Sequence, residues 1–352
     1  MAISKNKRVA EHWIRYNSKG YVKCNLCSRY CIIAPGKFGV CGVRKNEGGT
    51  LYTYVYGLLT AIAMDPIEKK PLMHYMPSSR VLSISTVGCN FFCSFCQNWE
   101  ISQSRLERGL YGEFREPEEI VEIAKRYKAD GISFTYNEPT IFYEYMYDVA
   151  KLAVKEGLFT TIVTNGYMSP EAIEEFYPYL NAATVDFKAS GNPDFYRKYM
   201  SVPDPSPIYE FLKILKEKRI FIEITNLIVP RIGDNKGDLG KLASWIASEL
   251  SEEVPFHLLR FYPSYKLTSL PPTEIEKLEE LSVEARNAGL KHVYIGNVWG
   301  HPLESTRCPK CGNVVIEREG FFVKRNVLDE EGRCPYCGYK LNVVVRRSGG
   351  KR

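Results

Sequence analysis

Seven short, almost uncharged runs rich in β-branched residues recur through the middle of the chain: VLSIST at 81–86, GISFTY at 131–136, FTTIVTN at 159–165, AATVDFKA at 182–189, FIEITNLIV at 221–229, PFHLLRFY at 255–262 and HVYIGN at 292–297. Their apolar character is continuous rather than alternating, which suits parallel strands covered on both faces. Between them lie patterns with helical start and stop signals. EPEEIVEIAKRYK places Pro117 in a first turn, PTIFYEYMYDVAKLAVKEG ends at Gly157, and SPEAIEEFYPYL offers Ser169 as a cap with Pro170 behind it. SPIYEFLKILKEKR, KGDLGKLASWIASEL and PTEIEKLEELSVEARNAG follow, the last closed by Gly289. Strand and helix alternating in this way predict a barrel or a doubly wound sheet. No G-x-G-x-x-G follows the first strand, so the dinucleotide fingerprint of the doubly wound alternative is missing. The expected fold is α/β: a partial TIM-type (β/α)6 or slightly larger parallel barrel, with a small cysteine-rich segment before it and a zinc ribbon behind it.

Eleven cysteines sharpen this picture, because they fall into three groups that divide the chain. Cys24, Cys27, Cys31 and Cys41 lie in an N-terminal cysteine-rich segment, 1–78; Cys89, Cys93 and Cys96 open the barrel, 79–300; Cys308, Cys311, Cys334 and Cys337 belong to a C-terminal segment, 301–352. The N-terminus has basic residues without an apolar run behind them, and the longest apolar stretch, YVYGLLTAIAM at 54–64, falls short of the roughly 20 residues that span a bilayer. The expectation is a soluble, cytoplasmic protein with no membrane partner, and in that reducing setting clustered thiols read as metal or redox ligands rather than disulfides. If all three groups bind metal, no cysteine is left over as a nucleophile.

The last group is a zinc ribbon pattern: CPKCG and CPYCG are matching knuckles 22 residues apart, and VVIEREGFFVK between them reads as a hairpin. Zinc would supply folding energy that so small a core lacks. The first group, CNLCSRYCIIAPGKFGVC, can close on zinc or hold a second, fully ligated cluster; its spacing does not decide, and a structural metal is slightly favoured. Gly36, Gly39 and Gly42 permit the tight turns of such a knuckle.

Charge adds one alternative. Of the net +6, most sits in 301–352, where Arg307, Lys310, Arg318, Lys324, Arg325, Arg333, Lys340, Arg346, Arg347, Lys351 and Arg352 face six acids. Such a tail raises a nucleic-acid contact, which the negative charge of four metal-bound thiolates disfavours.

Three cysteines at the end of the first strand need their own account. Iron–sulfur proteins that only carry electrons supply four cysteines to a cubane cluster. Three leave one iron open to a substrate or cofactor, by the logic that separates open from closed zinc sites. Cys89-x3-Cys93-x2-Cys96, with aromatic Phe95 before the last cysteine, resembles the signature of the radical S-adenosylmethionine superfamily. The likeness implies a [4Fe–4S] cluster whose open iron binds the amino and carboxylate groups of S-adenosylmethionine. It continues through TYNEPT, where Glu138 stands at the acid of the superfamily's Gly-Gly-Glu turn and Tyr136 and Asn137 replace the glycines. In TNG, Thr164 and Asn165 match ribose or methionine contacts; in DFKA, Asp186 and Lys188 are similar to the Asp-x-Lys of glycyl-radical activating enzymes. More narrowly, DPIEKKPLMHYMPSS at 65–79, GCNFFCSFCQNWEISQ and the flanking cysteine groups resemble the AmmeMemoRadiSam system radical SAM enzymes of the pyruvate formate-lyase activating enzyme-like group.

The resemblance implies reductive cleavage of S-adenosylmethionine to methionine and a 5'-deoxyadenosyl radical, which abstracts hydrogen from an unidentified substrate, with electrons from a low-potential donor such as ferredoxin or flavodoxin. A glycyl-radical activase acting on a protein partner shares this barrel. A non-catalytic, metal-bound nucleic-acid module is the third reading. No catalytic side chain is expected beyond the cluster and cofactor; His257, on the sixth strand pattern, is a candidate for the barrel mouth.

Overall fold

All seven predicted strands form, and they pair in the order in which they occur along the chain. The structure is a computed structural model that describes residues 5–105, 109 and 111–346. An edge strand β1 (Ala61–Pro66) precedes β2 (Arg80–Ser85), β3 (Gly131–Phe134), β4 (Phe159–Thr164), β5 (Ala182–Lys188), β6 (Phe221–Ile228), β7 (Phe256–Arg260) and β8 (Val293–Gly296). From β2 to β8 every neighbour is parallel and adjacent in sequence, while β1 runs antiparallel to β2. Crossovers that always step to the next strand in one direction collect their helices on one face. A doubly wound sheet would reverse direction at a switch point, and this one does not. Among the described residues no pairing joins β8 back to β1.

The helices form at all six predicted patterns, and two short ones that the patterns do not mark join them. They are α1 (Trp99–Ser102), α2 (Pro117–Arg126), α3 (Tyr143–Lys155), α4 (Pro170–Phe176), α5 (Pro193–Met200), α6 (Ser206–Glu217), α7 (Lys236–Trp245) and α8 (Ile275–Asn287). Ser169 Oγ accepts from the Ala172 N–H at 3.3 Å, and at α2 the Glu119 carboxylate returns to the Glu116 N–H at 2.7 Å as a capping box. Helix α5 is absent from the periodicity reading; it is short and starts on Asn192, whose side chain accepts from the Phe195 N–H. Among the described residues no helix is long and apolar enough to cross a membrane.

The N-terminal ends of the strands are plugged. Residues 67–79 pass beneath them: Thr184 Oγ1 donates to the Lys70 carbonyl at 2.6 Å, and the His74 N–H donates to Glu223 at 2.7 Å. The division at residue 78 therefore falls between β1 and β2, which are hydrogen-bonded neighbours. His257 also belongs to this end. It is the second residue of β7, 1% exposed, and its Nε2 lies 2.7 Å from Glu223. The expectation that it faces the barrel mouth is corrected, since a residue at the start of a parallel strand sits opposite the loops that follow the strand.

The C-terminal segment docks on the same end. Its hairpin, β9 (Val314–Glu319) and β10 (Phe322–Asn326), turns at Gly320, whose φ of +59° disfavours a side chain and where a Cβ would stand 2.4 Å from the Trp299 ring. Arg318 is buried, donates to Thr306 Oγ1 at 2.8 Å and lies 3.9 Å from Glu68. Arg346 pairs with Asp130, and Lys324 with Glu319. Part of the basic charge in 301–352 is thus spent within the protein; Arg347, Lys351 and Arg352 lie outside the described residues.

Candidate active site

The cysteine triplet occupies the loop between β2 and α1. Gly88 opens it with φ +95°, and a Cβ there would stand 2.7 Å from Val43 Cγ1 and 3.0 Å from the Cys41 carbonyl oxygen, so only glycine fits. The Phe92 and Ser94 N–H groups then donate to the Met200 and Tyr199 carbonyls at 3.0 and 2.8 Å, pinning the loop to the end of α5. Phe91 and Phe95 face inward, and Phe95 packs on Phe195 with ring centres 5.6 Å apart. The aromatic residue before the last cysteine is thus held in apolar packing beneath the loop. Cys96 Sγ lies 3.1 Å from Ser102 Oγ.

The residues singled out on the next three strands gather around this loop in two sets. Glu138, in the loop after β3, is 3% exposed. Its Oε1 accepts from the Thr140 N–H, Thr140 Oγ1 and Thr164 Oγ1 at 3.0, 2.6 and 2.8 Å, and its Oε2 accepts from the Asn165 N–H at 2.8 Å. Asn165 Nδ2 then donates to Asn90 Oδ1 at 2.7 Å, one residue from Cys89. Burial pushes the Glu138 carboxyl up while those donors pull it back. Burial also raises the Cys89 thiol, with the Glu138 charge adding to it. The second set adjoins Cys93. Lys188 Nζ donates to Asp186 at 3.1 Å, Thr225 Oγ1 donates to the other Asp186 oxygen, and the Lys188 N–H reaches Tyr196 Oη at 3.3 Å. Burial pushes Cys93 up to about 12, with Lys188 opposing.

Tyr136, where the resemblance has a glycine, adopts the glycine-like φ of +67°. Such a conformation strains a bulky residue unless its surroundings hold it. Here its hydroxyl is bonded to Asp65, the Lys70 ammonium sits 4.3 Å from its ring centre, and Asn98 Nδ2 donates to its carbonyl at 2.9 Å.

Asn90, Thr225 and Tyr196 are site residues that the sequence reading missed; Asn90 adjoins Cys89 in the motif itself, so its signal was present. Its Nδ2 is buried and has no hydrogen-bond partner among the described residues. An unpaired buried donor one residue from Cys89, on a side chain that also accepts from Asn165, fits a site that receives a polar group. The donor set suits a sulfur-ligated cluster with one open position and a zwitterionic cofactor beside it.

The other two cysteine groups differ in geometry. In the tail all four sulfurs lie within 4.8 Å of one another, with Cys308 to Cys337 at 3.5 Å and Cys311 to Cys334 at 3.7 Å. The Asn313 backbone and side-chain N–H groups hold the Cys311 thiol down to about 6, the thiolate state that a metal requires. Cys24, Cys27, Cys31 and Cys41 line a cavity with Arg44 and Asn90. Their segment is tied to the loop after β4, with the Ser28 N–H donating to the Tyr167 carbonyl and the Ser169 N–H to the Leu26 carbonyl.

Comparison with known proteins agrees with this arrangement. The Radical SAM superfamily profile matches residues 83–246. Over 325 residues the chain is 46% identical to the uncharacterized protein MJ0808 of Methanocaldococcus jannaschii, covering 92% of this chain and 96% of that one. It is 25% identical over 213 residues to the pyruvate formate-lyase-activating enzyme of Clostridium pasteurianum, covering 55% of this chain and 85% of the relative. It is 26% identical over 220 residues to the enzyme of the same name from Listeria monocytogenes, covering 57% and 85%. The triplet in the loop after the first parallel strand, the matched profile and these relatives lead to one conclusion: the chain is an enzyme of the radical SAM superfamily.

Proposed function

We propose that Cys89, Cys93 and Cys96 hold a [4Fe–4S] cluster with one open iron, and that S-adenosylmethionine docks there among Glu138, Thr164, Asn165, Asp186 and Lys188. The observation that carries this reading is the gathering of those side chains, from the loop after β3 and the ends of β4 and β5, around the triplet loop after β2. The cluster and cofactor together supply a 5'-deoxyadenosyl radical by one-electron cleavage of the sulfonium. The chain's own residues hold and shield. Asn90 and Asn165 present amides to a carboxylate or ribose, Asp186 and Lys188 offer one charge of each sign to a zwitterion, and Phe91 and Phe95 keep water from beneath the loop. The sheet is read as a partial barrel with these residues at its open end, the tail cysteines as a zinc site, and a ferredoxin or flavodoxin as the electron source.

The radical abstracts hydrogen from a substrate still to be identified. The names of the Clostridium and Listeria relatives favour, as a second reading, a protein partner that receives a glycyl radical. The non-catalytic nucleic-acid reading is set aside, since the family is one of enzymes. The test is anaerobic reconstitution followed by dithionite and S-adenosylmethionine. 5'-Deoxyadenosine is expected from the native chain and not from Cys93→Ala; its absence from both would refute the assignment.

A further inference from the structure

We propose that Cys24, Cys27, Cys31 and Cys41 hold a second, four-cysteine [4Fe–4S] cluster beside the triplet loop, instead of the structural metal that their spacing alone favours. The argument is one of size, and the protein carries its own ruler. Four thiolates around a single zinc, with bonds of about 2.3 Å, must stand roughly 3.8 Å apart. The tail cysteines do so, at 3.5 and 3.7 Å. A cubane places an iron behind each thiolate and so spreads the four ligand sulfurs wider than a single ion does. Among the described residues, no three of the N-terminal sulfurs fall within 4.8 Å of one another, and the triplet sulfurs stand apart in the same way. The N-terminal quartet therefore resembles the triplet and not the tail.

What the four thiols surround also fits. They line one cavity together with Arg44 and Asn90. Arg44, in its wall, is 1% exposed; its Nη1 lies 3.8 Å from Cys24 Sγ and its Nε has no partner. A cationic N–H group facing a ligand sulfur stabilises the added negative charge of a reduced cluster. Glu144 pairs with the far side of the same guanidinium and fixes its direction.

Position then suggests a role. Asn90 lies in the wall of this cavity, and Arg29 Nε donates to its carbonyl at 2.9 Å. The next residue back along the chain is Cys89. A ferredoxin- or flavodoxin-class donor would take the N-terminal core from +2 to +1, and passing that single electron to the triplet cluster restores +2. The relay rests on the cluster assignment made for Cys89, Cys93 and Cys96; the second cluster itself does not.

The Cys89→Ala/Cys93→Ala/Cys96→Ala variant, reconstituted anaerobically with iron and sulfide, should retain about four iron and four sulfide per chain. Its reduced EPR signal should not respond to S-adenosylmethionine, because every iron has a protein ligand. A second zinc in place of that iron overturns the proposal. Cys24→Ala/Cys31→Ala should lose about half of the native iron, keep the signal that responds to S-adenosylmethionine, and slow flavodoxin-driven deoxyadenosine formation about tenfold or more relative to dithionite-driven. Equal slowing with both reductants overturns the relay. If the triplet assignment is the one that fails, the native chain carries only the four irons that survive in the triple variant, and none responds to the cofactor.

Discussion

Replacing Glu138 with alanine removes one carboxylate and orphans four donors. Two are backbone N–H groups, of Thr140 and Asn165, and two are the hydroxyls of Thr140 and Thr164. The hydroxyls can rotate toward other acceptors, but the N–H groups cannot. Each buried donor left unpaired costs about 1–3 kcal/mol. Two of them, offset by release of a carboxyl that burial already strains, give an expected loss of about 2–4 kcal/mol. Glu138→Gln should fall between, because one oxygen can still serve the Oε1 donors while its NH2 opposes the Asn165 N–H. Urea denaturation of the metal-loaded protein without S-adenosylmethionine measures the loss apart from the cofactor. Hydrogen exchange at the Asn165 amide should accelerate more than at Ile162 in the middle of β4. An alanine variant within about 0.5 kcal/mol of the native chain, with unchanged exchange at Asn165, would refute the view that this carboxylate braces β3 to β4.

Two further outcomes test other parts of the structure. Arg318→Met leaves Glu68 buried, 1% exposed, without its cation, so the chain should lose about 3–5 kcal/mol of stability in denaturant titration; a loss below about 1 kcal/mol would show that the tail does not dock through this pair. His74 is buried against Tyr294 and His292, and burial depresses its pKa well below the ordinary 6.5. A depressed base stays neutral when folded, so its stabilisation is complete above pH 6.5 and is lost as pH falls below that value. The urea midpoint should therefore fall more steeply between neutral and mildly acid pH in the native chain than in His74→Gln, and equal slopes would contradict it.

The seven parallel strands were legible because strands covered on both faces need continuous apolar runs, and each such run stands out between polar helices. Caps such as Ser169 marked helix starts for the same local reason. β1 was not legible: AIAMDP has neither alternation nor a β-branched run, and it is a strand only because β2 offers it an edge. His257 was assigned to the wrong end although its place, second in its strand, carried the information.

The chemistry divides along the same line. Spacing within one loop is a covalent fact, so three cysteines with no fourth nearby already stand out as an incomplete ligand set, and C-x3-C-x2-C carries the resemblance that implies the cofactor. How far apart four sulfurs stand is not covalent once nine residues separate the last two. Backbone path and packing set that distance, and with it whether one ion or a cubane fits. Likewise the sequence names Glu138, Asn165, Asp186 and Lys188 one strand at a time, but only the parallel, in-order pairing of β2 to β5 brings their ends around one loop.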